Sequence, residues 1–146
     1  YGSGCSLSDR RVIPTMILDA LYNRDITIYG SGEQQRTFCW VGDVGDALIR
    51  LMSLPSHLSP HTINIGSSRE VSIRHLAEMI LSLTASRSRI VFSPPRRQDP
   101  ITPDLSLAYR LLDWTPTTSL SRGLQETIEY ARQYIAQFSS KRAMQM

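Results

Sequence analysis

The sequence has 146 residues, of which 41% are apolar and 20% charged, a composition that suits one folded domain and excludes a disordered chain. No apolar run is long enough to span a bilayer and no secretory signal opens the chain, so we expect a cytoplasmic protein without a membrane partner. The net charge is +3, and every basic residue except Lys141 is an arginine. Arginine suits phosphate ligands, although a solvated surface would explain most of these side chains equally well.

The first half of the chain predicts two helices with two strands between them. The first helix covers about residues 11–23, with Asp9 as its N-cap and Pro14 in its first turn. Strands are predicted at 26–29 and 36–41, separated by a glycine-containing turn. Asp43 is the predicted N-cap of the second helix.

The second half predicts two further strands and three further helices. The strands are 62–65 and 89–92, and Trp114 is expected in the core. The predicted N-caps of the three helices are Ser72, Asp104 and Ser119. The apolar period stops at Ser139, so we predict one domain covering 1–138 and a flexible tail at 139–146. This order is mixed α/β, and its strands are short, as in a lobe that leans on something larger.

Several common chemistries have no residues to support them. The glycines of the 30–33 turn lie between two strands, whereas a dinucleotide fingerprint needs a strand followed by a helix. No tyrosine has a lysine four positions later, as the Tyr/Lys pair of short-chain dehydrogenases requires. His57 and His61 are separated by Pro60, which argues against a helical zinc site. Cys5 and Cys39 have no metal-ligand spacing and are expected to be reduced thiols.

A series of motifs in a fixed order carries a family resemblance. The series is Tyr-Gly at 1–2, Tyr-Gly-Ser-Gly-Glu-Gln-Gln-Arg-Thr-Phe at 29–38, Trp-Val-Gly-Asp at 40–43, Asn-Ile-Gly at 64–66, Pro-Asp at 103–104 and Asp-Trp-Thr-Pro at 113–116. It resembles the C-terminal half of the extended short-chain dehydrogenases that act on nucleotide sugars, with UDP-glucuronate decarboxylases closest in pattern. The resemblance covers essentially the whole chain.

The resemblance implies a division of labour between two halves of a longer protein. The N-terminal Rossmann half would bind NAD and carry the catalytic Tyr/Lys pair. This chain would be the C-terminal substrate-binding portion, which binds a nucleotide-diphosphate sugar, most simply a UDP-sugar, and has no catalytic residue of its own. Because the sequence does not begin with Met and opens with Tyr-Gly-Ser-Gly, which is typical of the middle of a chain, we expect it to be part of such a longer protein. Members of the family are commonly homodimers.

The resemblance also implies a set of substrate-binding residues. Arg36 matches the family arginine on the diphosphate, and Gln34, Gly30 and Gly32 would shape the loop around the nucleotide. Arg11 matches a position near the cofactor or the sugar phosphate, with a solvated first-turn residue as the equal alternative. Asn64 would contact the nucleotide, or would end its strand by bonding to the backbone. Asp43 matches a family aspartate, for which the N-cap role is favoured.

Two departures from the family pattern leave alternatives open. The family's Tyr-Gly-Pro-Arg turn becomes Tyr-Gly-Ser-Gly at residues 1–4, and an arginine expected before Pro103 is absent. Arg96 or Arg97 could replace it from the proline-rich loop at 93–103. If neither does, a second clamp for phosphate or carboxylate is missing. This loss would fit the alternative function, a stand-alone, non-catalytic binding or regulatory module descended from such an enzyme. A small nucleic-acid binder is disfavoured, because the arginines are dispersed and no binding motif is present.

Overall fold

The computed structural model describes residues 1–58, 62–95 and 102–143, with side chains described as far as residue 137. The helices are α1 (Val12–Leu21), α2 (Val41–Met52), α3 (Ile73–Thr84), α4 (Ser106–Leu112) and α5 (Leu120–Ala143), and the strands are β1 (Ile26–Tyr29), β2 (Gln35–Thr37), β3 (Glu70–Ser72) and β4 (Ile90–Ser93). A 3-10 turn covers Ser56–Leu58. The predicted α/β class is confirmed.

The four strands form two separate two-stranded sheets. β1 and β4 are parallel, with Ile26 opposite Ile90, whereas β2 and β3 are antiparallel, with Arg36 opposite Val71. Along β1 the buried residues Ile26 and Ile28 alternate with exposed ones. This alternation turns one face of the parallel pair towards the helices, and leaves the other face on the surface.

The larger core lies where α1, α3 and α5 meet beneath β1. Its fully or almost fully buried side chains are Ile13, Met16, Ile17, Ile26, Ile28, Leu76, Ile80, Leu124 and Ile128. They fall at three- and four-residue spacings on the helices, as expected for amphipathic helices facing one core.

A second, smaller core joins α2 to α4. It consists of Ala47, Ala108, Leu112 and Trp114, and Trp114 is only 2% exposed, which confirms its predicted place in the core. The indole Nε1 donates to the carbonyl oxygen of Asp43 at 3.0 Å. A buried tryptophan therefore has its polar atom satisfied by the first turn of α2.

The prediction that Asp43 caps α2 is wrong. The N-cap is Trp40, and Asp43 lies inside the first turn, where it is buried. Its carboxylate instead accepts hydrogen bonds from the backbone N–H and hydroxyl groups of Thr117 and Thr118, at 3.1 to 3.3 Å. Asp43 therefore joins α2 to the segment that leads into α5.

The other predicted caps divide into two groups. Ser72 and Ser119 are confirmed, because their hydroxyl oxygens accept the N–H groups of His75 and Arg122 three residues further on. Asp9 is not the cap of α1, since Arg11 occupies that position without a side-chain bond. Asp104 likewise precedes the backbone cap of α4 by one residue, and its carboxylate accepts the N–H of Ser106 at 2.9 Å.

The prediction of a strand at 62–65 is wrong, although half-buried and exposed side chains do alternate along this segment. Ile63 and Ile65 turn towards the smaller core, while Thr62 and Asn64 are exposed. No backbone ladder forms along this segment within the described residues, so the third strand in chain order is β3 instead. The predicted strand at 36–41 is also shorter, since β2 ends at Thr37.

Two further features concern the helices. α5 continues to Ala143, past the start of the tail predicted at 139. Residues 144–146 lie outside the described part of the chain. Across the residues that the structure describes, none of the helices combines the length and apolar character needed to cross a bilayer.

Candidate functional site

A cleft of about 900 Å³ opens between the start of α1, strand β1 and the segment from 30 to 38. Its apolar lining includes Ile13, Ile26, Ile28, Phe38 and Ile73, which belong to or border the larger core. Arginine side chains stand among them. An apolar cavity of this size with a few convergent polar groups has the properties of a small-molecule site.

The turn between β1 and β2 forms one side of the cleft, and its conformation depends on two glycines. Gly30 and Gly32 have φ angles of +83° and +84°, a region in which a side chain is strained. The Gln34 side chain closes the turn, because its Nε2 donates to the carbonyl oxygen of Tyr29 at 2.8 Å. The turn then leads Arg36 into β2.

The start of α3 also holds this turn in place. The backbone N–H of Ile73 donates to the carbonyl of Gln34 at 3.2 Å, and that of Arg74 donates to the carbonyl of Gly32 at 2.9 Å. The first N–H groups of a helix have no partner inside the helix. Here the turn supplies partners for two of them, which connects the wall of the cleft to the helical core.

Three arginines give the cleft its charge. Arg10, Arg11 and Arg36 line it, together with the carboxylate of Asp19, which pairs with Arg24 at 2.9 Å. The Nη1 group of Arg36 donates to the carbonyl of Gln35 at 2.7 Å, which orients the half-buried side chain. Guanidinium groups next to an apolar floor suit a ligand that carries phosphate at one end and an uncharged ring at the other.

Arg11 is held by the residue that the sequence suggested as a helix cap. The carboxylate of Asp9 accepts the backbone N–H of Arg11 at 3.0 Å and also its Nε–H. The backbone hydrogen bond from Arg11, followed by the side-chain bond, lowers the pKa of Asp9 below its ordinary value. The carboxylate therefore stays charged near neutral pH and fixes the direction of Arg11 at the edge of the cleft.

The structure brings together most of the residues that the resemblance suggests. Arg36, Gln34, Gly30 and Arg11 all line the cleft, and Gly32 lies in the same turn, in contact with Arg74. Asn64 lies elsewhere, where its Nδ2 donates to the carbonyl of Asp104 at 3.1 Å and connects residues 62–65 to the start of α4. Arg96 and Arg97 lie outside the described residues.

Other cleft residues were not singled out from the sequence. They include Arg10, Tyr29, Thr37 and Phe38. Tyr29 could have been found from the alternation along β1, because it occupies an exposed position next to the buried Ile28. Arg10 gave no signal, since a charged residue before a helix is ordinary.

Two groups near the cleft are poor acid–base catalysts. Burial, followed by the nearby Cys39 and Asp43, raises the pKa of Tyr1 to about 12. Burial and the Asp43 carboxylate likewise raise the pKa of the Cys39 thiol. Both groups therefore keep their protons near neutral pH, whereas a general base works best with a pKa near the working pH.

Two kinds of cofactor, a metal ion and a nicotinamide dinucleotide, find no fitting set of residues in the described part of the chain. Among the described residues, no three His, Cys, Asp or Glu side chains cluster as metal ligands. His61, which the sequence analysis considered together with His57, lies outside the described residues. The glycines at 30 and 32 connect strand β1 to strand β2, so no helix N-terminus follows them to receive a pyrophosphate. A nicotinamide dinucleotide has no fingerprint here.

The sequence of this chain is similar to one family of known enzymes. Residues 1–66, which contain most of the cleft, match the NAD dependent epimerase/dehydratase family. The chain is 41% identical over 132 residues to the UDP-glucuronic acid decarboxylase 1 of Danio rerio, covering 89% of this chain and 31% of the relative. It therefore spans about a third of the length of that protein.

Solved structures give the same result at the level of the fold. The chain is similar to the UDP-glucose 4-epimerase of Thermotoga maritima, solved with UDP-glucose, at a TM-score of 0.84 and 28% identity, covering 92% of this chain and 44% of that one. A UDP-glucuronic acid 4-epimerase from Bacillus cereus, in complex with UDP-glucuronic acid and NAD, matches with a TM-score of 0.82 and 26% identity, covering 92% and 43%. The chain is thus similar to the NAD dependent epimerase/dehydratase family over residues 1–66, and to part of longer proteins over most of its length.

Proposed function

We propose that this chain binds a nucleotide-diphosphate sugar, of the UDP-sugar class, as the substrate-binding portion of an NAD-dependent epimerase, dehydratase or decarboxylase. The redox chemistry would come from residues outside this sequence, which would bind NAD. The observation that carries the proposal is the cleft that places Arg36, Gln34 and Arg11 around an apolar floor.

The chemistry of the cleft supports a nucleotide diphosphate over other ligands. A diphosphate carries charge that guanidinium groups recognise with paired hydrogen bonds, and a nucleobase has flat apolar faces that suit the side chains of the floor. Tyr29 and Phe38 supply aromatic surface on the same cleft. Relatives in complex with UDP-glucose or UDP-glucuronic acid agree with this ligand class.

The proposal is tested by calorimetric titration of the 146-residue chain with UDP, UDP-glucuronic acid and NAD. We expect the two uridine nucleotides to bind and NAD to bind far more weakly. Arg36→Met should weaken UDP binding by about tenfold or more, because a hydrogen bond to a charged group contributes roughly 1.5–3 kcal/mol. The matched control is Arg122→Met, which removes an exposed arginine paired with Glu126 on α5.

Equal loss of affinity in the two variants would contradict a specific role for Arg36. A folded chain that binds none of the three nucleotides would contradict the proposal as a whole. Joining the chain to the preceding part of a relative distinguishes the enzyme portion from a stand-alone module. NAD-dependent conversion of a UDP-sugar by the joined protein favours the enzyme portion, and tight UDP binding without conversion favours the module.

A further inference from the structure

Arg74, the second residue of α3, joins three parts of the molecule behind the cleft. Its Nε lies 3.2 Å from a carboxylate oxygen of Glu33, and its Nη2 donates to the carbonyl of Ser31 at 3.3 Å. Its guanidinium also covers the ring of Phe92 on β4, 4.8 Å from the centroid. One side chain therefore contacts the β1–β2 turn from helix α3 and rests on the parallel sheet.

The backbone of Arg74 also contacts the β1–β2 turn. Its N–H donates to the carbonyl of Gly32, and a Cβ placed on Gly32 would lie 3.1 Å from the Cβ of Arg74. The turn thus lies directly against the first turn of α3. Of the residues in the turn, Gly30, Ser31 and Gln34 line the cleft, whereas Gly32 and Glu33 do not.

We infer that Arg74 is a positioning residue for the cleft, which fixes the conformation of residues 30–34 without contacting the ligand. The inference rests on the proposed function, because it concerns the affinity of the same cleft. Arg74 stands behind the turn and is not among the residues that line the cleft. Its effect on binding must therefore pass through Ser31, Gly32 and Glu33.

The exposure of the pair separates this role from simple stabilisation. The side chains of Arg74 and Glu33 are 44% and 68% exposed, so their ion pair adds little to the stability of the whole chain. Its loss should free the turn locally and leave global unfolding almost unchanged. A residue that only supported the fold would change both together.

Two substitutions distinguish positioning from a direct effect of charge. Arg74→Met removes a positive charge, whereas Glu33→Gln removes a negative one. If Arg74 acted by attracting an anionic ligand, Glu33→Gln would strengthen UDP binding. If it acts by holding the turn, both substitutions should weaken UDP binding, and the double variant should be little worse than either single variant.

The first experiment is hydrogen–deuterium exchange of residues 30–34 in the full chain, with and without UDP. We expect Arg74→Met to raise exchange in the turn while the melting temperature stays within about 2 °C, and to weaken UDP binding by roughly two- to thirtyfold. Arg74→Lys, which keeps the charge but loses the planar fork, should be intermediate. The control, Arg89→Met, removes another exposed arginine paired with Asp25 and should change neither turn exchange nor affinity.

The possible results separate this inference from the proposed function. Unchanged exchange in Arg74→Met, with normal UDP binding by the wild type, would overturn the positioning role. Stronger UDP binding by Glu33→Gln would overturn it as well. If the wild type binds no nucleotide but Arg74→Met raises exchange in the turn, the proposed function fails and control of the turn by Arg74 is still supported.

Discussion

At the scale of single residues, Asp43 accepts hydrogen bonds from three residues that lie more than 70 positions further along the chain. Its buried carboxylate receives donors from Thr117 and Thr118, and its carbonyl receives the indole of Trp114. These contacts join α2 to the entry of α5 through the smaller core. The aspartate that resembles a family motif residue therefore has a structural explanation in this chain.

Substitution of Asp43 should destabilise the fold strongly. Asp43→Ala leaves the N–H and hydroxyl groups of Thr117 and Thr118 without their acceptor, which should lower the free energy of unfolding by about 3 kcal/mol. Urea denaturation followed by tryptophan fluorescence measures this loss. Asp46→Asn on the same helix is the control, since its exposed pair with Arg50 should contribute less than about 1 kcal/mol. Similar losses in the two variants would contradict the role of Asp43.

Acid pH provides a second test based on single residues. The side-chain hydrogen bond from Arg89 lowers the pKa of Asp25 below its ordinary 3.8. For a carboxyl group with a lowered pKa, the stabilisation is fully present above 3.8 and is lost as the pH falls through the folded-state pKa. Because the pair is exposed, the effect is small and should decrease in salt.

We therefore expect Asp25→Asn to be less sensitive to acid than the wild type. In urea titrations at pH 6 and pH 2.5, the wild type should lose more of its midpoint concentration than the variant does, and 1 M NaCl should reduce the difference. A variant as acid-sensitive as the wild type would show that the Arg89 contact does not contribute. Measuring both proteins in the same salt series separates this contact from general charge repulsion.

At the scale of elements, the β1–β2 turn depends on backbone conformation more than on side-chain packing. Gly32 combines a φ of +84° with a close neighbour in Arg74. Gly45, in the middle of α2, has helical geometry and open space where a side chain would begin. The two glycines should therefore respond in opposite directions to the same substitution.

Gly32→Ala should destabilise the chain by about 1–3 kcal/mol, since it forces a left-handed residue with a side chain into contact with α3. Gly45→Ala should stabilise it by roughly 0.5–1 kcal/mol, because alanine loses less backbone entropy in a helix. Thermal and urea unfolding of both variants measures these changes. Stabilisation by Gly32→Ala would show that the turn does not need its left-handed conformation, and would weaken the account of the cleft.

The elements also show what a single sequence can predict. Helices with strong apolar periods were placed well, since α1 lies within two residues of the predicted 11–23 at each end and α3 begins directly after its predicted cap Ser72. The prediction at 62–65 failed because alternation alone cannot supply a neighbouring strand, and β3 was missed because Glu70–Ser72 is too short to show a pattern. Caps failed where Asp9 and Asp43 found other donors, since a carboxylate before a helix can bond in several ways.

At the scale of the whole molecule, the site could be predicted only in part. Motif order indicated Arg36, Gln34 and the glycine turn, all of which lie at the cleft or in its wall. The position of Asn64 depends on how residues 62–65 pack against α4, which no local pattern encodes. The role of Arg74 was equally hidden, because its partners Glu33 and Phe92 come from two other elements.

An exposed apolar patch lies on helix α2. Leu48, Ile49 and Met52 are at least half exposed along one side of α2, although the opposite side packs on α4. Scattered apolar residues on a surface are ordinary, but three on adjacent turns form a patch. Polar substitutions there should cost little folding stability, since few contacts are lost, which distinguishes them from substitutions at Ala47 in the smaller core.

The parallel pairing of β1 with β4 has a consequence for the kinetics of folding. Ile26 meets Ile90 only after the chain between them, including β2, α2, β3 and α3, has been closed into a loop. The entropy of closing that loop is lost before the strand contacts compensate for it, so this sheet should form late. The packing of α1 on α3 closes a loop of similar length, so it should form at the same stage as the sheet, and the cleft would take its final shape late in folding.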